Sequence, residues 1–156
     1  MSRSALDMVR TAVRSAIKEG TFDRHMARLV IVSAGEGRLT AEMPVQQDDV
    51  NRRGTLHGGL MTTIVDTMSL LALSTARPAN DDLLPGITVD LNVSYLSPVA
   101  LGETIVVNAT TLRHGKSMAF MSVDILNKEK NQLAAIGKVV AAILPAAPPT
   151  SSQSSK

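Results

Sequence analysis

The chain has no cysteine and almost no aromatic residues. Among its 156 residues there is no cysteine or tryptophan, and Phe22, Tyr95 and Phe120 are its complete set of phenylalanines and tyrosines. Without cysteine there is no disulfide, no thiolate ligand for zinc or an iron–sulfur cluster, and no thiol nucleophile. Modules that bind single-stranded nucleic acid stack the bases on several aromatic side chains. The composition therefore disfavours a nucleic-acid partner.

Net charge and long apolar runs are also limited. Lys and Arg number 16 against 14 Asp and Glu, and a formal charge of +2 is too small to predict a polyanionic partner. The most apolar run, residues 60–73, contains Asp66 and several hydroxyl side chains, so we expect no membrane span. A hydrophobic share of 44% is enough for one buried core, which predicts a single domain.

The two ends of the chain differ from its middle. Residues 1–27 predict a helical segment packed on the domain, because Leu6, Val9 and Val13 share one face at helical spacing. An amphipathic stretch with Arg and Ser is also typical of a mitochondrial presequence, although such presequences are poor in the acidic residues found here. We expect a cytoplasmic protein, with a mitochondrial location as the alternative. The Pro- and Ser-rich residues 145–156 are expected to be disordered.

Residues 28–144 predict one helix among several strands. Two short β-type runs, 28–34 and 38–45, indicate a hairpin, and the apolar residues 60–76 are long enough for a helix. Residues 87–95 alternate apolar and polar side chains without a break, which is typical of a half-buried strand. Further strands are predicted at residues 103–112, 119–126 and 133–144. Short turns join them, so the sheet is expected to be antiparallel.

The apolar face of such a sheet needs a cover, and residues 60–76 form the only long apolar helix available. The predicted architecture is therefore α+β: a hotdog fold, in which a curved antiparallel sheet wraps around one long central helix.

Asp66 is the first candidate for chemistry, because it interrupts the apolar helix. A carboxylate buried without partners is costly, so its presence among Ile64, Val65 and Met68 asks for an explanation. One interpretation is a narrow polar stripe, shared with neighbouring Thr and Ser residues, that simply meets water. The other is a partly desolvated carboxylate that acts as a base or a nucleophile.

A second candidate group comes just before this helix. Gly58 and Gly59 let a ligand approach the backbone, and free N–H groups at a helix start suit a developing oxyanion. Asn51 offers a side-chain N–H, and His57 is a candidate base, ligand or structural residue. Gly58 and Asp66 would lie roughly 12 Å apart along a helix axis, too far to meet one carbonyl. If both act on the same atom, they must come from two subunits, which suggests a dimer.

No sequence signal indicates a metal or a nucleotide cofactor. His25, His57 and His114 have no ligand spacing, and there is no glycine-rich phosphate loop and no serine nucleophile elbow. Arg113 and Lys116 place two cations at a predicted turn, where they could meet an anionic ligand. Most such turns are simply solvated, so both interpretations stay open.

Several motifs together resemble a known family. Residues 51–59, NRRGTLHGG, followed by Asp66, resemble the H-G-G…D signature of hotdog-fold acyl-CoA thioesterases of the phenylacetate-degradation type. The match continues through residues 86–98, 101–103 and 115–120, covers about residues 28–144, and is strongest to a eukaryotic branch of that family.

The resemblance implies a role for each candidate residue. Asp66 would act on the thioester carbon as a general base or nucleophile. Asn51 and the backbone N–H of Gly58 would hold the thioester oxygen, and His57 would help to order the site. Thr88 stands where the close branch has a serine that assists the water, so the hydroxyl is kept and a methyl group is added.

The resemblance also implies an assembly and a substrate. The expected assembly is a homotetramer, a dimer of dimers, with each site at a subunit interface. Coenzyme A, a part of the substrate and not a cofactor, would contact residues of two stretches: Asp90, Tyr95, Ser97, Arg113, Gly115, Lys116 and Ser117. The expected reaction is hydrolysis of medium- to long-chain fatty acyl-CoA. The alternatives are a non-catalytic acyl-CoA sensor or carrier and, last, a dehydratase of the same fold.

Overall fold

A computed structural model describes residues 4–20, 22–76 and 86–143 of the chain. The predicted disordered tail, residues 145–156, lies outside the described residues. The elements in chain order are helix α1 (Ala5–Lys18), a 3₁₀ segment (Phe22–Met26), strands β1 (Val30–Gly35) and β2 (Arg38–Pro44), a short 3₁₀ turn (Gln47–Asp49), helix α2 (Gly58–Ser74), and strands β3 (Gly86–Tyr95), β4 (Thr104–His114), β5 (Met118–Asn127) and β6 (Gln132–Ile143).

The strands form one antiparallel sheet that packs against α2. Its order is β1-β2-β4-β5-β6-β3, and every neighbouring pair is antiparallel. Helix α2 contacts five of these strands, and its buried residues belong to the same apolar core as the inward side chains of the sheet. The predicted hotdog architecture is confirmed, with the helix and strand bounds shifted by only a few residues.

Gly137 on β6 sets how closely α2 approaches the sheet. A Cβ atom at this position would lie 2.3 Å from Cγ1 of Val65, which is far inside van der Waals contact. Val65 is fully buried and directly precedes Asp66. The glycine therefore lets the middle of α2 settle onto β6 and fixes the height of Asp66 above the sheet.

Strand β3 departs from the unbroken alternation expected of its sequence. The register with β6 shifts between Thr88 and Asp90, and the half-buried positions change from even to odd numbers there. Ile87 and Val89 are consequently more than half exposed, while Thr88 joins Leu91 on the side that faces α2. The reason is a β-bulge, in which one extra residue reverses the facing of every residue before it.

Helix α1 lies against β1. The hydroxyl of Ser4 caps it by accepting from the N–H of Asp7, and Val9 is completely buried. Nη2 of Arg10 donates to the carbonyl of Ile31 at 2.9 Å, which ties the helix to the strand. Across the described ranges, no helix is both long and apolar enough to cross a membrane.

Candidate active site

Asp66 and Thr88 meet across the gap between α2 and β3. The Thr88 hydroxyl donates to Oδ1 of Asp66 at 2.6 Å, and both side chains are half-buried. The bulge in β3 makes this possible, because it turns Thr88 towards the helix. Together they face a cavity of about 290 Å³, here called the Asp66 cavity. Its lining consists of Phe22, Asp23, Thr62, Thr63, Asp66, Thr67, Thr88 and Leu91.

The polar residues of α2 do form a stripe, as one interpretation of the sequence expected. Thr62, Thr63, Asp66 and Thr67 all line the Asp66 cavity, on a helix that is otherwise largely apolar. The hydroxyls of Thr62 and Thr63 donate to carbonyls one turn earlier in the helix. Asp66 accepts instead from a different element, and the cavity leaves it reachable by water or a ligand. The stripe is thus one wall of the site.

His57 caps the N-terminus of helix α2. Its Nδ1 accepts the N–H of Gly59 at 2.9 Å, so the neutral ring carries its proton on Nε2. The backbone N–H of His57 donates to the carbonyl of Asp49 at 2.8 Å. As the first helical residue, Gly58 has an N–H that no carbonyl within the helix can accept. This N–H is the kind of donor that an oxyanion requires.

Tyr95, which sequence reasoning placed against coenzyme A, lies beside Gly58. Its hydroxyl is 3.0 Å from the carbonyl oxygen of Gly58 and 2.6 Å from Oγ1 of Thr62. A Cβ atom at position 58 would lie 3.3 Å from Cζ of the ring. The ring therefore fixes the start of α2, and the glycine leaves room for it.

Asn51 organises the loop that leads to His57. Its Oδ1 accepts the N–H of Arg53 at 2.8 Å, and its Nδ2 donates to Oγ1 of Thr55 at 3.0 Å. A carboxamide has two N–H bonds, so one remains for a further acceptor. The loop is tied to the body of the protein where Leu56 donates its N–H to the carbonyl of Val99 at 2.8 Å.

A buried ion pair supports the same loop and was missed by sequence reasoning. Arg28 pairs through Nη2 with Oδ1 of Asp49, which is only 3% exposed. Oδ2 of Asp49 accepts the N–H of Gln46 at 2.8 Å, while its carbonyl holds His57. No pattern in the sequence links two residues 21 positions apart, because their pairing depends on the folded chain.

His57 opens to a second cavity, here called the His57 cavity, of about 520 Å³. Its lining consists of Phe22, Arg24, His25, Arg28, Asp48, Asp49, His57, Gly59, Leu60 and Thr63. It shares Phe22 and Thr63 with the Asp66 cavity. Asp66 and His57 therefore belong to neighbouring but separate cavities of one protomer.

The remaining residues expected at coenzyme A lie at the end of β4 and the exposed turn after it, on β3, and just after β3. Arg113 and Lys116 are exposed, and Gly115 closes their turn by donating its N–H to the carbonyl of Met118 at 2.8 Å. Ser117 is exposed in the same turn, and Asp90 is exposed beside the bulge. The hydroxyl of Ser97 donates to the carbonyl of Leu133 at 2.5 Å. Their roles stay predictions.

The described residues contain no group of three or more His, Asp or Glu side chains placed to hold a metal ion. The groups of the candidate site that could act on a substrate are a carboxylate with its hydroxyl partner, backbone and carboxamide N–H groups, and a histidine.

The sequence profile of the Thioesterase superfamily matches residues 53–134, a span that contains His57, Gly58, Asp66 and Thr88. The chain belongs to the thioesterase superfamily. Human acyl-coenzyme A thioesterase 13 is 41% identical over 136 residues, which cover 86% of this thioesterase and 94% of the human protein. The resemblance noted in the sequence and the prediction of a thioesterase are both confirmed.

Solved structures agree with this thioesterase in fold. Zebra fish thioesterase superfamily member 2 has a TM-score of 0.84 and 32% identity, over 91% of this chain and 100% of that one. A Streptococcus mutans protein bound to acetyl CoA has a TM-score of 0.68 and 21% identity, over 74% of this chain and 88% of that one. The second likeness shows the fold alone.

Proposed function

We propose that this thioesterase hydrolyses medium- to long-chain fatty acyl-CoA to a free fatty acid and coenzyme A. The observation that carries the proposal is the hydrogen bond of 2.6 Å between Thr88 and Asp66 at the wall of an open cavity. A carboxylate held at a fixed position by a hydroxyl, and open to a cavity, is suited to take a proton from water. The name of the human relative supports acyl-CoA as the substrate class.

In the proposed reaction Asp66 acts on the thioester carbon in one of two ways. As a general base it takes a proton from water while the water oxygen attacks the carbonyl carbon. As a nucleophile its own oxygen attacks, and water then cleaves the resulting anhydride. In both cases negative charge develops on the carbonyl oxygen, the carbon–sulfur bond breaks, and coenzyme A leaves as the thiol after it gains a proton.

Asn51 and Gly58 are proposed to hold the carbonyl oxygen as its charge develops. The first N–H of α2 and the second N–H of the Asn51 carboxamide are both donors of the required kind. His57 stabilises the N-terminus of α2 by accepting a hydrogen bond from the N–H of Gly59. Oxyanion donors of this type contribute about 10²–10³ in rate.

Two copies of the chain are proposed to share each site. Gly58 and Asp66 are separated by roughly 12 Å along α2, so one thioester cannot contact both within a protomer. The chain neighbours of Gly58 line the His57 cavity, whereas Asp66 lines the other one. In the described part of the chain β3 pairs only with β6, so its other edge is open, and the strand carries the exposed Ile87 and Val89. An apolar sheet edge of this kind suits pairing with a second copy. We extend this to the expected dimer of dimers.

Coenzyme A is proposed to lie along the exposed turn between β4 and β5. Its phosphates need cations, which Arg113 and Lys116 supply; Ser117 offers a hydroxyl, and Gly115, which has no side chain, lets the ligand approach the backbone. Asp90, Tyr95 and Ser97 are the proposed contacts from β3 and the residues after it.

The direct test is a series of acyl-CoA thioesters from acetyl to palmitoyl, with release of free thiol as the measurement. We expect turnover by the wild-type protein and a loss of about 10²–10⁴ in kcat for Asp66→Asn. The variant keeps the shape of the side chain, so its Tm should stay close to that of the wild type. Binding of acyl-CoA without thiol release would instead identify a sensor or carrier.

Shared sites make a sharper prediction for mixed assemblies. Asp66→Asn and Asn51→Ala proteins are each expected to be inactive. Unfolded together in equal amounts and refolded, half of the dimers contain one chain of each kind, and each of those regains one intact site. The mixture should therefore recover about one quarter of the wild-type rate. If the rate does not exceed that of the separate variants, the site is not shared.

A further inference from the structure

Phe22 is 65% exposed although the segment that carries it is firmly held. At the other end of the 3₁₀ segment, Met26 is 1% exposed and lies in the core. Between them, Asp23 accepts the hydroxyl of Thr67 on α2 at 3.4 Å. An exposed aromatic on an anchored segment is not explained by folding, because the ring gains little from its own chain.

The ring of Phe22 lies where the two cavities of the candidate site meet. It lines both the Asp66 cavity and the His57 cavity, and among the described residues only Thr63 shares this position. Its one described ring contact is with His25, at a centroid distance of 5.2 Å and a tilt of 59°. One wall of each cavity is therefore an uncovered aromatic face.

The neighbours of the ring favour an apolar, flexible occupant over a charged one. Leu91 lies in the Asp66 cavity and Leu60 in the His57 cavity, so each offers an aliphatic side chain in the same space as the ring. The lining of the His57 cavity also has charged side chains, but two arginines stand against two aspartates, and one of these pairs is the buried pair of Arg28 with Asp49. Both leucines are half-buried, and an exposed aromatic ring beside such side chains at a cavity marks a binding surface for apolar ligands.

We infer that Phe22 determines acyl-chain specificity, by packing against the methylene chain of the thioester substrate. The inference rests on the proposed function and adds a residue of the 3₁₀ segment to the binding surface for that substrate. A fully buried methylene strengthens binding about fourfold, so a ring that covers two or three of them changes affinity by about tenfold or more. Acetyl thioesters have no chain for the ring to cover, so their kcat/KM should not depend on the ring.

The test compares Phe22→Ala and Phe22→Trp with the wild type over acyl-CoA thioesters from acetyl to palmitoyl, below their micelle concentrations. For Phe22→Ala we expect kcat/KM to fall about tenfold for long chains and less than twofold for acetyl-CoA, with the loss in KM. Phe22→Trp, which narrows the space, should shift the preference to shorter chains. Val32→Ala is the matched control, because Val32 is 48% exposed and lines neither cavity.

The possible outcomes separate this inference from the proposed function. If the wild type releases no thiol from any acyl-CoA, the proposed function fails and the inference falls with it. If the wild type is active but Phe22→Ala loses the same factor at every chain length, only the inference is overturned. Sedimentation of each variant detects a third outcome, in which the ring contacts a second copy and its loss dissociates the assembly, which also overturns it.

Discussion

The two halves of the candidate site are built in different ways. The loop half, consisting of Asn51, His57 and Gly58, is held by hydrogen bonds between residues close in the chain, such as the bond from Gly59 to Nδ1 of His57. The helix half consists of Asp66 and Thr88, two residues that are 22 positions apart in the chain and are joined by one hydrogen bond between α2 and β3. The loop half therefore depends mainly on local turn chemistry, with the ion pair and backbone bonds described above anchoring it to the rest of the protein, and the helix half depends on how α2 packs against the sheet.

This difference predicts how each half fails. Changes within the loop half should remove a donor and leave the fold intact, because the backbone turns around it are short and mutually supported. Changes under the helix half should alter stability and activity together, since the same packing that seats α2 also places Asp66 against Thr88.

The largest effect on the loop half is expected from Asn51→Asp. The new side chain keeps the oxygen that accepts the N–H of Arg53, but it loses the carboxamide N–H and adds a charge near the oxyanion. We expect kcat to fall by about 10²–10³ with a Tm close to the wild-type value. Thr55→Val is the control, because it removes only the hydroxyl that Asn51 contacts within the loop. If Asn51→Asp keeps more than half of the wild-type kcat, Asn51 only shapes the turn and does not hold the oxyanion.

The helix half should respond to Gly137→Ala in both stability and rate. A Cβ atom 2.3 Å from Cγ1 of the stiff, fully buried Val65 forces α2 away from β6. We expect a loss of about 1–3 kcal/mol in the free energy of unfolding and, because Asp66 moves with Val65, a fall in kcat of up to about 10²-fold.

The matched control for this change is Gly86→Ala, a strand glycine whose added Cβ would lie 3.4 Å from Cδ2 of Leu70, an ordinary contact. The double variant Gly137→Ala with Val65→Ala should recover part of the lost kcat, since the new methyl group then has space. Full activity in Gly137→Ala, with stability lost, would mean that the seating of α2 does not position Asp66.

A smaller effect is expected when only the hydrogen bond inside the helix half is removed. Thr88→Val replaces the hydroxyl by a methyl group of similar size, and hydrogen bonds to charged groups contribute about 1.5–3 kcal/mol. We expect kcat to fall about tenfold or somewhat more, while Thr88→Ser retains it. Equal rates for the valine and serine variants would show that the hydroxyl has no part in the reaction.

Sequence patterns predicted the helices and strands well, but they predicted less well which side of the sheet each side chain occupies. Helix α2 was predicted from the length and apolar composition of its run and β3 from its alternation, and the loop half could be located because its residues lie within one short stretch of the chain. The facing of Thr88 could not be predicted from alternation, since the bulge in β3 reverses it. Three further features depend on residues that are distant in the chain, and no local pattern predicts them. They are the requirement for a glycine at position 137, the pairing of Arg28 with Asp49, and the position of Phe22 between the two cavities.

The smallest effect is expected from a carboxylate in the turn that is hydrogen-bonded to the loop half. Glu103 pairs with Lys130 at 2.6 Å and accepts the N–H of Ala100 at 2.7 Å, and these contacts hold the pKa of Glu103 below its usual 4.5. The turn that it closes is bonded to the loop, where Leu101 donates its N–H to the carbonyl of Gly54 at 3.1 Å. Because the folded state binds the proton less tightly than the unfolded state, the contribution of Glu103 to stability is present above pH 4.5 and is lost as the pH falls through the lower folded pKa.

We therefore expect Glu103→Gln to lower Tm slightly at pH 7 and to approach the wild-type Tm as the pH drops below about 4.5. Amide exchange should locate the effect, because the N–H of Leu101 and of Leu56 should exchange faster in the variant while the buried middle of α2 is unchanged. Glu129→Gln is the control, since Glu129 accepts the N–H of Thr104 and has no described bond to the loop. Faster exchange in α2 as well as in the loop would show that the two halves are one cooperative unit, and that their separation is confined to how each is assembled.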